Sequence, residues 1–341
     1  MADGEVFGTT VDGQKVRRFT ISAGGLTAQI MTFGAAVQDL RLAGHDAPLV
    51  LGFDRFDDYP GHSPYFGAIA GRYANRIAGG RFMIDGNHYQ GPRNFLGKHT
   101  LHGGDAGFFG AVWNVTASAD DLVSMALRDP AGAMGFPGAI DVTCSYRVRA
   151  PGTLSIELSA TADEPTLCNL AHHSYFNLDN GGAGDVLDHR MMIAAAAYLP
   201  VDDEMIPTGF VVPVDDTAFD FRVARPVRHD LDGRQLPYDH NFCLAAARGP
   251  LRQVVWAQGA SSEVEMEVWT TEPGIQFYAG QNVARSVPGL GGRNYRAYAG
   301  FCLEPQIWPD SPNRPYFPQA VLRPGETYRQ VTEYRFSGPQ G

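Results

Sequence analysis

The dominant period along the chain is two. Ile140, Val142, Cys144, Tyr146 and Val148 alternate with Asp141, Thr143, Ser145 and Arg147, the distribution of a half-buried strand over its two faces. Leu154, Ile156 and Leu158 alternate in the same way with Ser155, Glu157 and Ser159, and Pro151-Gly152 between the two runs reads as a hairpin turn. The stretches from Glu263 to Trp269, from Gly274 ("GIQFYAG"), from Gly300 ("GFCLEPQ") and from Tyr328 ("YRQVTEYRF") continue the pattern. In "RFMIDGNHY", Asp85-Gly86 suits the positive φ angles of a two-residue type I′ hairpin. Helical spacing appears in Phe66, Ile69, Ala70, Tyr73 and Ile77, but the glycines among them predict a short helix or none. "PGLGG", 288–292, reads as a flexible loop. No repeat, low-complexity segment or compositional break divides the chain. The expectation is one all-β domain over residues 1–341, an antiparallel β-sandwich.

Composition narrows the function classes. With 44% hydrophobic residues, 40 Gly and 23 Pro, the 341-residue chain is globular and turn-rich. Its net charge of -10, with no Lys/Arg run interleaved with aromatics, argues against a nucleic-acid partner. No apolar run reaches membrane-spanning length, and the N-terminus lacks a basic region followed by an apolar one, so no membrane role is expected. Cys144, Cys168, Cys243 and Cys302 are widely separated with no CxxC pair, which suits small buried side chains in a reducing, cytoplasmic setting.

Candidate chemistry is confined to a few polar residues in apolar or turn-rich contexts. In "LAHHSYFNL", 170–178, strand alternation puts His172 and His173 on opposite faces, so they cannot do the same job. In "GFCLEPQIWPDSPN", Phe301 and Leu303 share one face while Cys302, Glu304 and Gln306 share the other. A strand glutamate is ordinarily solvated, but Trp308, Pro309, Asp310 and Asn313 follow at once and set this one apart. Gln276 and Tyr278 likewise oppose Ile275 and Phe277. His102 precedes two glycines, Asp239 is followed by His240, and Asn75 by Arg76; taken singly, these read as a loop histidine, an Asx-turn and a solvated helix end. P-loop, strand-linked GxGxxG, HExxH and GxSxG patterns are absent, which removes support for nucleotide binding and for the usual nucleophile elbow. A metal held by His99 and His102, or by His172 and His173 with Glu304, is disfavoured because adjacent strand histidines point apart; no metal is expected.

Taken in order, "GRYANRIAGGRF", "TLHGG", "HHSYFNL", "YLPVDDEMIPTG", "FDFR", "YDHNF", "PGIQFYAGQN", "GFCLEPQIWPDSPN" and "FPQAVLRPGETY" resemble the aldose 1-epimerase (galactose mutarotase) family over nearly the whole chain. The resemblance implies an antiparallel β-supersandwich that binds a monosaccharide in an open cleft and interconverts its anomers without a cofactor. Carried over by position, it implies His173 as acid and Glu304 as base. It further implies sugar-binding roles for Asn75, Arg76, His102, Ser174, Tyr175, Asp239 and Gln276. Ala171 and His172 depart from the Thr-Asn that usually precedes the acid.

The chemistry agrees with these roles. Opening a cyclic hemiacetal removes the anomeric hydroxyl proton and protonates the ring oxygen, so a base and an acid must flank the sugar. A carboxylate with pKa about 4.3 and an imidazole with pKa about 6.5 would be, respectively, ionised and partly protonated at neutral pH. The expected substrate is free glucose, galactose or a pentose, and the expected assembly a monomer or weak dimer. The alternatives are a hexose-phosphate 1-epimerase, which needs cations to hold its phosphate, and a sugar-binding module without catalysis. Glycoside hydrolysis would require two opposed carboxylates.

Overall fold

The computed structural model describes residues 4–62 and 65–338. The two runs that alternate most regularly pair antiparallel over their full length, Ile140–Arg149 with Thr153–Ala162, Ile140 opposite Ala162 and Arg149 opposite Thr153. They lie inside a nine-stranded sheet whose order runs Asn114–Ala119, Leu122–Asp129, Ile140–Arg149, Thr153–Ala162, Tyr328–Ser337, Glu265–Thr270, Arg252–Gln258, Arg190–Ile193 and Arg225–Pro226. The C-terminal strand Tyr328–Ser337 thus closes the sheet centre between segments more than 100 residues apart in sequence. Its inward residues Tyr334 and Phe336 join Tyr146, Ile156, Met266 and Val268 in one apolar cluster.

A six-stranded antiparallel sheet packs on that cluster. Its order is Tyr175–Phe176, Phe301–Gln306, Gly274–Tyr278, Asp239–Cys243, Ala197–Tyr198 and Val212–Pro213. Phe176, Phe242, Ile275, Phe277, Phe301 and Leu303 point into the shared core. The interval between sheets is tied by side-chain hydrogen bonds as well: Tyr334 Oη donates to the Leu303 carbonyl at 3.0 Å and Gln330 Nε2 to the Pro305 carbonyl at 2.8 Å. Ile21, Leu26, Ala28 and Ile30 of an N-terminal four-stranded sheet (Glu5–Thr9, Lys15–Ala23, Leu26–Met31, Ala36–Leu42) complete the core. The architecture is the expected all-β antiparallel sandwich. Among the described residues, no helix is long and apolar enough to cross a membrane.

Local expectations fare unevenly. Arg81–Ile84 and Asn87–Gln90 form the two-residue hairpin, with Asp85 at φ 51° and Gly86 at φ 82° as type I′ geometry demands. The stretch with helical spacing forms no helix. Gly67 at φ 71° and Asn75 at φ 63° break any helical path, and short bridges replace it: Ile69–Ala70 pairs with Ala171–His172, and Arg76–Ile77 with Thr100–Leu101. The glycine loop at 288–292 is pinned rather than loose. Leu290 is buried, and its amide donates to the Gly52 carbonyl at 3.0 Å.

Candidate active site

Period-two alternation explains why polar groups collect on the outer face of the six-stranded sheet. Cross-strand register aligns Asn241, Gln276 and Glu304 in one row, and Asp239, Tyr278, Cys302 and Tyr175 in the row two residues along. Side chains two apart share a face, so both rows project away from the apolar core. Two loops cover this face and supply Tyr65, Asn75, Arg76 and His102. Together they enclose a cleft of about 240 Å³ lined by Asn75, Arg76, His102, His173, Tyr175, Asp239, Gln276 and Glu304, with Tyr65, Tyr278, Asn282 and Arg285.

The ordinary readings of these residues fail for one reason, burial. Glu304 lies on a strand whose six residues are all buried, and Arg76 is only 8% exposed. Asp239 is in a strand rather than an Asx-turn, and its carboxylate accepts from Arg76 Nη2 at 3.1 Å and Gln276 Nε2 at 2.6 Å. Asn75 Oδ1 accepts from the Arg76 amide at 3.0 Å. The "PDSPN" segment explains its own proximity to Glu304 in sequence. Buried Asp310 donates its amide to the Arg76 carbonyl and accepts from the Ala78 amide, both at 2.9 Å, so it clamps the Arg76 loop to the end of the Glu304 strand.

His173 and Glu304 face each other, Nε2 to Oε1, at 3.5 Å. The backbone of His173 is held on both sides, its amide donating to Ala68 and its carbonyl accepting from Gly67. Its ring stacks on Tyr65 at 5.6 Å and meets His102 edge-on at 5.1 Å. His102 and Asn75 lock each other: the His102 amide donates to the Asn75 carbonyl at 3.0 Å, and the Asn75 amide to His102 Nδ1 at 3.2 Å. Both residues hold positive φ, 51° and 63°, a conformation non-glycine residues adopt sparingly and one that concentrates at functional sites.

This lock also bears on metal binding. His102, His173 and Glu304 have ligand atoms within 4.8 Å of one another, a spacing that could hold an ion. The Asn75 amide, however, occupies His102 Nδ1 and directs the ring proton to Nε2, so neither nitrogen offers a free lone pair. His102 is configured as a donor.

Electrostatics differ from the values expected of exposed groups. Burial, and secondarily the Asp239 charge, hold Glu304 well above the usual carboxylate range, with Arg76 opposing. Burial pushes His173 down to about 4, partly offset by its own backbone carbonyl and by Asp239. Burial, followed by the charges of His173 and Arg76, keeps His102 well below the ordinary imidazole value. An ionised Glu304 is therefore a stronger base than a free carboxylate, and a protonated His173 a stronger acid than free imidazole.

His172 points the other way. Its ring lies 6.0 Å from Tyr146 and 5.7 Å from Tyr334 in the core, and burial drops its pKa to about 3. It takes no part in the cleft. Ser174 is buried with an unpartnered Oγ and does not line the cleft. Tyr65, Asn282 and Arg285 do, and no local sequence signal points to them; Tyr278 shares its face with Gln276 by alternation alone.

A carboxylate and an imidazole opposed across a small cleft of amide and guanidinium donors have the chemistry that acid–base work on a polyhydroxylated small molecule requires. Comparison with known proteins makes the class specific. A family model described as aldose 1-epimerase matches residues 17–335, and the chain belongs to that family. It is 39% identical to a galactose mutarotase from Rattus norvegicus over 329 residues, 95% of each chain. It is 36% identical to an aldose 1-epimerase from Escherichia coli (strain K12) over 337 residues, 95% of this chain and 96% of the other. The solved structure of an aldose epimerase homologue from C. elegans superposes with a TM-score of 0.88 at 32% identity, covering 95% of this chain and all of that one.

Proposed function

We propose that the chain is an aldose 1-epimerase whose acid–base pair is His173 and Glu304, and that it interconverts the α and β anomers of a free aldose. The observation that carries this reading is the 3.5 Å pairing of the two groups inside the cleft, with pKa shifts of opposite sign. Ionised Glu304 takes the proton from the anomeric O1 while protonated His173 delivers one to the ring O5; the C1–O5 bond breaks and C1 becomes an aldehyde. Rotation about C1–C2 presents the other carbonyl face. The O5 hydroxyl then attacks C1, its proton returns to His173, and Glu304 returns its proton to O1. Nothing is consumed.

The pKa shifts favour the forward transfers. Ring opening turns a charged pair into a neutral carboxylic acid and a neutral imidazole, the state that a dry cleft stabilises. Arg76 and the His102 Nε2–H are donors for charge that develops on sugar oxygens. Asp239, fixed by Arg76 and Gln276, accepts from a sugar hydroxyl, and a ligand lacking that hydroxyl would leave it unpaired. The four free cysteines, three of them buried, fit a reducing compartment, and we place the enzyme in the cytoplasm.

The test is polarimetry of freshly dissolved α-D-glucose, α-D-galactose and a pentose. Approach to equilibrium faster than the buffer blank for at least one sugar is expected. Blank rates across the panel, with sugar binding retained, would identify a binding module instead.

A further inference from the structure

Arg285 lines the cleft but has no part in the mechanism above. Formal charge makes it the odd group. Arg76 is neutralised by Asp239 at 3.1 Å, and His173 with Glu304, holding one proton between them, carries no net charge. Arg285 has no carboxylate partner among the described residues. Its Nη1 donates to the carbonyls of Asn282 at 3.0 Å and Ala284 at 2.7 Å, which fixes the guanidinium, while its buried Nε has no hydrogen-bond partner. Nη2 makes no hydrogen bond to the protein and is the donor left to meet a ligand anion.

Its position along the cleft selects which part of a sugar it would meet. The guanidinium stands over Phe66, 5.7 Å from the ring centre; Phe66 packs edge-on to Tyr175 at 4.9 Å, and Tyr175 lies 5.1 Å from His173. Arg285 therefore belongs to the His173 side. Asp239, the fixed anion of the cleft, lies cross-strand from Tyr278, and its carboxylate is already engaged by Arg76 and Gln276. His173 protonates O5 in the proposed reaction, and C5 is bonded to O5, so the C5 substituent is the part of the sugar nearest this wall. We infer that the cleft accepts aldohexuronic acids, with Arg285 binding the C5 carboxylate as a specificity determinant. This rests on the anomer-interconversion reading. One guanidinium matches the single charge of a carboxylate; a phosphoryl group would call for further cations, and Arg76 is already paired.

The experiment compares D-galactose, D-galacturonate and galactose 6-phosphate by polarimetry with wild type, Arg285→Gln and Arg285→Lys. Wild type is expected to turn over galactose and galacturonate. Arg285→Gln is expected to lower the galacturonate-to-galactose ratio of kcat/KM about tenfold or more, the loss of one charge-assisted contact. Arg285→Lys, which keeps the charge but loses the guanidinium's fixed hydrogen bonds to Asn282 and Ala284, is expected to fall between. An unchanged ratio in Arg285→Gln overturns the inference, as does a wild-type enzyme that turns over galactose but leaves galacturonate at the blank rate. Preference for the phosphate over galacturonate also overturns it. Blank rates with every sugar refute the epimerase reading itself, which separates the two failures.

Discussion

The surroundings of His172 and His173 differ far more than their adjacency suggests. Both side chains are almost completely buried, and burial drives both imidazoles toward neutrality. His172 lies among Tyr146 and Tyr334, where aromatic rings offer packing and no counter-charge. His173 faces a carboxylate across a cleft open to a ligand. Desolvation alone makes an imidazole inert; desolvation opposite a carboxylate, with space for a substrate between, gives it what the proposed acid needs.

The comparison breaks if the two sides respond alike to substitution. Glu304→Gln and His173→Asn carry the largest expected effect, a fall in kcat of at least about a hundredfold each, the scale of lost acid–base catalysis. Initial-rate polarimetry at saturating sugar measures it. Residual kcat within tenfold of wild type in either variant would remove that residue from the mechanism.

Asp239→Asn comes next. It halves the acceptor capacity that now serves Arg76 and Gln276, and KM is expected to rise about tenfold, as for a lost charged hydrogen bond. It also removes the second-largest cause of the elevated Glu304 pKa. In the proposed mechanism the pair works with one proton between its two groups, so kcat/KM is expected to fall on the acid side when the pair gains a second proton, on His173, near pH 4, and on the alkaline side when the last proton leaves. Without the Asp239 charge that last proton leaves at lower pH, and the alkaline limb is expected to shift downward. A limb that stays in place would show that Asp239 acts on the sugar alone.

His172→Asn has the smallest expected effect on catalysis, kcat within about tenfold of wild type. Its signature is in stability. A neutral buried histidine with a folded pKa of about 3 leaves the unfolded chain binding more protons between that value and about 6.5, so stability falls as pH drops through this window. Removing His172 is expected to flatten the decline of Tm with acidification. A slope identical to wild type would mean that the ring is not held neutral, and a kcat loss equal to that of His173→Asn would reverse the face assignment.

Much of this was legible along the chain because alternation is a local property. Runs such as Ile140–Val148 state their two faces outright, and the Asp85-Gly86 turn states its φ angles. The same rule separated Glu304 from Phe301 and Leu303, and His172 from His173. It could not say whether the polar face met water, since that depends on whether another segment covers it. Apparent helical spacing at 66–77 misled for a related reason: the segment earns its conformation from pairing with residues 100–101 and 171–172, contacts that no local window contains.

What the sequence determined by itself is therefore the alternation of faces, the antiparallel class of fold and, through ordered motifs, the family; the same motifs single out the residues proposed as acid and base. What only the tertiary structure decided is the environment of those groups. Closing the sheet with the strand Tyr328–Ser337 buries the Glu304 strand, the clamp at Asp310 sets Arg76 against Asp239, and a loop between strands carries Arg285 to the His173 side. Solvation and charge depend on distance through space, which chain order does not encode.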